Sequence, residues 1–161
     1  MTLRIHWPAM ASPLTNRAKE VLQLAAGQEA ARFNHEEFGT EHILLALIRD
    51  GSGTAVAVLK NLGIDLRQLR LDVEAHITPI TGMYNRTSAD PTPGAERAVE
   101  FSIDESRTLK HDNVGTEHLL LGLLREEEGI ASRVLSAFGL TLDLLRSRIQ
   151  LIVANRAQTN S

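Results

Sequence analysis

Cysteine is absent from the 161 residues, which excludes disulfides, thiolate metal sites and cysteine catalysis and is compatible with a reducing compartment. No charge of one sign dominates either. Residues 1–78 carry 8 basic and 9 acidic side chains and residues 79–161 carry 9 and 11, so neither part has the basic face of a nucleic-acid binder. Long apolar runs are also missing: Ile43 to Ile48 and Leu119 to Leu124 fall far short of a membrane span. Met1 to Pro13 has a lone Arg4 and no apolar stretch before Pro8, so no signal peptide is read there. A cytoplasmic protein with no membrane and no nucleic-acid partner is expected. The chain contains no GxxxxGK[ST], no HExxH and no GxSxG, the signatures of P-loop, zinc-protease and serine-hydrolase chemistry. The expectation is a protein that is not an enzyme and uses no metal and no cofactor.

What the chain does contain is one motif written twice. Gly39-Thr40-Glu41-His42 returns as Gly115-Thr116-Glu117-His118, and segments 39–66 and 115–142 are identical at 14 of 28 positions in that register. Unrelated sequences of average composition would share about 2. With 43% hydrophobic and 23% charged residues, the chain has the means to bury a core over both copies.

In chain order, residues 1–13 read as an irregular arm. Thr15 is an N-cap for a helix with Ala18, Val21, Leu22 and Ala25 on one face, expected to run to about Phe33 with an irregularity near Gly27. Thr40 reads as the cap of a second helix, whose Ile43, Leu44, Leu47 and Ile48 are too uniformly apolar for an exposed face. A third helix follows Gly53, Gly63 ends it, and Asp65 caps a fourth that turns Leu66, Leu69, Val73 and Ile77 inward. From Thr78 to Pro91 the periodicity stops, which marks a linker with Arg86 as a trypsin site. Thr92 and Pro93 then restart the pattern. Gly139 and Thr141 repeat the stop and start signals of Gly63 and Asp65, and a polar, frayed tail is expected over 155–161. The fold expected is all-α, with eight helices in two four-helix repeats, 14–77 and 92–154, packed about a pseudo-twofold axis.

Glu41 and Glu117 fall in the first turn of their helices, where the helix dipole favours a carboxylate. The same carboxylates would suit a guanidinium if they face a groove. Thr15 and Thr92 are first of all caps, and the open N–H groups beside them also make an anion site. His42 and His118, each preceded seven residues earlier by His35 and His111, read as hydrogen-bonded core histidines. Glu126-Glu127-Glu128 reads as a solvated helix junction or as part of an acidic binding surface.

At these residues the chain resembles the double Clp-N motif, the N-terminal domain of ClpC- and ClpA-type AAA+ unfoldases, and ClpC most of all. The resemblance rests on Leu14-Thr15-Asn16-Arg17-Ala18 with Gly39-Thr40-Glu41-His42-Ile43-Leu44-Leu45, and on Thr92-Pro93-Gly94-Ala95 with Gly115-Thr116-Glu117-His118-Leu119-Leu120-Leu121-Gly122-Leu123. It spans about residues 14–154 and implies the eight-helix double repeat. It also implies docking of client or adaptor proteins for an ATP-dependent unfoldase that feeds ClpP. In ClpC-type domains it further implies binding of phosphoarginine, with Glu41 and Glu117 on the guanidinium and Thr15 and Thr92 at the phosphate. The chain would then be a free-standing Clp-N protein or one domain of an unfoldase. An accessory subunit docking on the protease ring, and a small hydrolase using His35 or His118, are the competing readings. Two ligand sites are expected, Thr15 with Glu41 and Thr92 with Glu117. Arg17 should favour the first, since Gly94 stands where the family has an arginine. Thr15 to Gly39 spans 24 residues and Thr92 to Gly115 spans 23, so the first copy carries one extra residue.

Overall fold

The computed structural model describes residues 14–82 and 89–159, and among these the fold is all-α, with eight helices in two four-helix halves. The arm read over residues 1–13, the linker segment around Arg86 and the last two residues lie outside the described residues. In the first half, α1 runs through Asn16–Leu24, a π-helical turn at Ala25–Glu29, and Ala30–Arg32; α2 is Thr40–Asp50, α3 Thr54–Asn61 and α4 Leu66–Ala75. In the second half, α5 is Pro93–Thr108, α6 Thr116–Arg125, α7 Ile130–Ala137 and α8 Leu142–Thr159.

The π-helical turn is where the extra residue goes. A single insertion into an α-helix is absorbed as one widened turn, and this one contains Gly27, where the irregularity is expected. Beyond it the two halves are in register. Glu29 and its counterpart Glu105 are both buried, and both are neutralised by arginines. Glu29 accepts from Arg32 at 2.7 Å and Arg49 at 3.0 Å; Glu105 accepts from Arg125 at 3.1 Å and from Arg146 at 2.7 and 2.9 Å. The stop signals also behave as read, with Gly63 and Gly139 left-handed at φ 78° and 84°.

The halves share one core. The α2 and α6 helices are buried along almost their whole length. The fourth helix of each half lies on the third helix of the other, α4 against α7 and α8 against α3. Two short parallel pairings, which helical periodicity cannot signal, stitch the halves further. Leu14 bridges to Val114, and Glu37–Phe38 pairs with Asp90–Pro91. As a result Thr15 N–H donates to Val114 O at 2.9 Å and Thr92 N–H to Phe38 O at 2.9 Å. Each half's first helix therefore starts beside the other half's GTEH motif.

Thr40 does not cap its own helix. Gly39 occupies the N-cap position, and the Thr40 hydroxyl instead reaches Ala131 N–H in the other half at 3.4 Å, while Thr116 reaches Ala55 N–H at 3.1 Å. The helices receiving these bonds begin at Gly129 and Gly53, where a Cβ would sit 2.5 Å from the incoming hydroxyl. Glycine there admits a cap from across the interface that it cannot itself supply. Replacing Thr116 with valine keeps the volume and leaves the buried Ala55 N–H without a partner. We expect a loss of about 1–2 kcal/mol in equilibrium urea unfolding, whereas Thr54→Val, at a half-buried position beside Ala55, should cost less.

Of the tail read over 155–161, the described residues continue α8. The chain is helical through Thr159, and two bonds strap α8 along α3: Arg148 to Asn61, and Arg156 to Thr54 Oγ1 at 2.7 Å. Those long-range ties are invisible to a local count of polar residues.

Candidate functional site

Each GTEH motif builds the same local structure. The backbone N–H of Gly39 donates to His42 Nδ1 at 2.8 Å, His42 Nε2 lies 3.0 Å from His35 Nδ1, and His35 Nε2 lies 2.8 Å from Thr78 O. A backbone N–H can only donate and a carbonyl can only accept, so both rings are neutral and Nε2-protonated, each passing one hydrogen bond on. The second copy repeats the first two links, with Gly115 N–H to His118 Nδ1 at 2.9 Å and His118 Nε2 to His111 Nδ1 at 2.8 Å. Burial pushes His42 down to about 3 and His118 to about 4. These rings hold the helix start and are not free to ligate a metal. Among the described residues no cluster of His, Asp and Glu has metal-ligand geometry.

The glutamate between threonine and histidine folds back over the helix start. A Cβ at Gly39 would lie 1.9 Å from Glu41 Oε1, and one at Gly115 would lie 2.0 Å from Glu117 Oε1, so glycine makes room for the carboxylate. The side chains of Glu41 and Glu117 are only 17% and 13% exposed. Burial raises the pKa of both, against hydrogen bonds from their own first-turn N–H groups, which lower it. A carboxylate kept this dry is partly compensated by the backbone and well placed to gain from an incoming cation.

The structure pairs the expected site residues differently from the sequence reading. Thr15 shares a recess of about 280 Å³ with Glu117, along with Arg17, Gly53, Thr116 and Arg156. Thr92 shares one of about 270 Å³ with Glu41, along with Gly94, Arg97, Glu126 and Glu128. Thr15 is not joined to Glu41, nor Thr92 to Glu117, because the parallel bridges carry each first helix to the opposite motif. Both recesses are composite. Thr15 Oγ1 accepts from Ala18 N–H at 3.1 Å and Thr92 Oγ1 from Ala95 N–H at 3.0 Å, so both threonines are true caps at the mouth of their recess.

The surroundings of Gly94 and of Arg17 can be compared directly. Arg17 NH1 bonds Asp50 at 3.1 Å and Ser52 at 2.5 Å. At the position corresponding to Asp50 stands Glu126, and it accepts from Arg97 Nε at 2.5 Å. Arg97 reaches back over the space a side chain at 94 would fill, its NH2 being 3.9 Å from a Cβ placed there. A guanidinium thus stands beside Gly94, from one turn later. Arg97 and Arg156 escaped the sequence reading, although Glu126 standing 76 residues after Asp50 was a usable signal for the first.

Two stretches of the chain, residues 13–105 and 91–161, match the family described as the Clp repeat (R) N-terminal domain. The chain belongs to this family. It is 45% identical over 145 residues to the chaperone protein ClpB of Oceanobacillus iheyensis, covering 89% of this chain and 18% of that one. To the negative regulator of genetic competence ClpC/MecB of Bacillus subtilis it is 43% identical over 148 residues, covering 91% and 18%. The Clp-repeat chain thus spans about a fifth of the length of these relatives. Its fold is that of the N-domain of ClpV from Vibrio cholerae, at TM-score 0.77 and 20% identity over 96% of this chain and 93% of that one. The same fold occurs in a complex of a ClpV N-domain with a VipB peptide, at TM-score 0.73 and 20% identity over 96% and 95%. Among the described residues no single helix is long and apolar enough to cross a membrane.

Proposed function

We propose that this Clp-repeat domain is a cytoplasmic, non-catalytic docking module that recruits client or adaptor proteins to a Clp unfoldase working with ClpP, and that its two recesses take phosphorylated arginine side chains. The observation that carries the reading is the composition of each recess. A threonine-capped helix start from one half faces a half-buried, folded-back carboxylate from the other. N–H groups at a helix start favour phosphate oxygens, and a desolvated carboxylate favours a guanidinium, so the pair reads a ligand carrying both groups. The relatives support docking as the general role, since a ClpV N-domain holds a VipB peptide.

Calorimetric titration with phosphoarginine tests the proposal. Two sites per chain are expected, with one lost in each of Glu41→Ala and Glu117→Ala and little change in stability. Each lost charge-assisted bond should weaken its site about tenfold or more, taking 1.5–3 kcal/mol per bond. Wild-type affinity in both variants would leave the glutamates as helix-start residues only.

A further inference from the structure

A further surface shares no lining residue with either recess. It is an open hollow of about 610 Å³ on the first half, where Leu45 and Ile48 of α2 are flanked by Arg32, Arg49 and Arg70. Its arginines outnumber its carboxylates, Glu29 and Glu74, and those are already engaged. Glu29, 1% exposed, gives one oxygen to Arg32 at 2.7 Å and the other to Arg49 at 3.0 Å. Glu74 Oε1 accepts from Arg32 NH2 at 3.4 Å. Arg49 and Arg70 nevertheless stay 48% exposed. The whole chain has a net charge of −3, so this basic surplus is local.

The second half has no such surplus. There Arg146 holds the buried Glu105 through two bonds, at 2.7 and 2.9 Å. In the first half Arg32, which stands where the second half has Thr108, takes that seat on Glu29. Arg70, the counterpart of Arg146, is left 3.6 Å from Glu74, outside hydrogen-bond distance. Arg67, exposed one turn earlier on α4, stands where the second half has Asp143, which lies 3.7 Å from Arg146. Residues three and four apart share a helix face, so Arg67, Arg70, Leu71 and Glu74 lie together along α4, with Leu71 46% exposed.

We propose that this arginine-lined hollow is a docking site for an acidic peptide segment of a partner protein, with an aliphatic side chain among its carboxylates. The inference is independent of the phosphoarginine reading, because it uses other residues and a ligand of opposite charge. Carboxylates of the segment pair with Arg49, Arg67 and Arg70; Arg49 gives a single N–H to Glu29, and the rest of its donor fork is available. The aliphatic group covers Leu45 and Ile48. A small inorganic anion would leave that apolar floor wet, so a peptide fits the hollow better.

Fluorescence anisotropy of the full chain with a labelled glutamate-rich peptide carrying a central leucine pair tests this, beside the same peptide with glutamine for every glutamate. The acidic peptide should bind, more weakly as salt is added, and the glutamine analogue should bind at least about fivefold less well. Replacing Arg67 and Arg70 together by glutamine should weaken the acidic peptide about fivefold. Arg133→Gln, which removes an exposed arginine from the second half, should change it by less than about twofold. No binding of the acidic peptide, equal binding of the glutamine analogue, or equal losses in Arg133→Gln and the double variant would each overturn the inference. Arg67 and Arg70 are exposed and neither touches buried Glu29, so the double variant is expected to melt like the wild type.

Discussion

Lowering the pH from 7.5 to 5 should cost this domain about 4 kcal/mol of stability, about 2 from each of His42 and His118. In the folded chain both rings are neutral, because each Nδ1 accepts a backbone N–H and burial disfavours the cation. In the unfolded chain both titrate near 6.5. Between 6.5 and the folded values near 3 and 4, the unfolded state binds more protons, so stability is full above about pH 6.5 and is lost as the pH falls. The raised carboxyls of Glu41 and Glu117 act in the opposite sense, since the fold accepts their protons more readily, and they flatten the profile near the ordinary carboxylate range. Glu105, held below that range by Arg146 and Arg125, adds a further loss only at lower pH. Urea unfolding at a series of pH values measures the slope. His42→Asn with His118→Asn, whose amide oxygen stands about where Nδ1 stands, should be less stable at neutral pH and nearly pH-independent from 7.5 to 5. An unaltered slope in the double variant would assign the acid sensitivity elsewhere.

Gly122→Ala should cost about 3 kcal/mol and lower the melting temperature by about 10 °C. A Cβ at 122 would stand 2.1 Å from Ala98 O and 2.2 Å from Ser102 Oγ, and the first of these is backbone inside α5. The serine could rotate away, but the carbonyl cannot, so α5 and α6 must separate along their contact. The corresponding residue in the first half is Ala46, which is fully buried. There the position matching Ser102 is Ala26, within the π-helical turn. Ala46→Gly should therefore cost about 1–2 kcal/mol, from the helix-propensity difference and the lost burial of one methyl. Thermal unfolding of the two single variants compares them directly, and equal losses would mean that the close approach of α5 to α6 carries no special constraint.

Much of this architecture is written locally and can be read from the chain. The apolar spacing marks the helices, Gly63 and Gly139 mark their ends, and Asp65 caps α4 through bonds of 3.0 and 3.2 Å to Arg67 and Gln68 N–H. Even the π-helical turn is announced, by one surplus residue around Gly27. What could not be read is how the two halves exchange partners. A sequence lists Thr15 with Glu41 because they are neighbours in one repeat. The parallel bridges Leu14 to Val114 and Phe38 to Pro91 place each threonine beside the other repeat's glutamate. Thr40 shows the same limit: by local rules it is a cap for α2, and in the fold it caps α7. Arg156 lines its recess only after this exchange, so no spacing within one repeat points to it.

The central claim is that each binding recess is built by both halves, and the most direct measurement is amide chemical-shift mapping of phosphoarginine binding to Glu117→Ala. The composite arrangement predicts that the variant loses the perturbations at Arg17 and Ala18, at the start of α1, and keeps those at Gly94 and Ala95, at the start of α5. Loss at Gly94 and Ala95 with retention at Arg17 and Ala18 would contradict it, and would return each site to a single repeat.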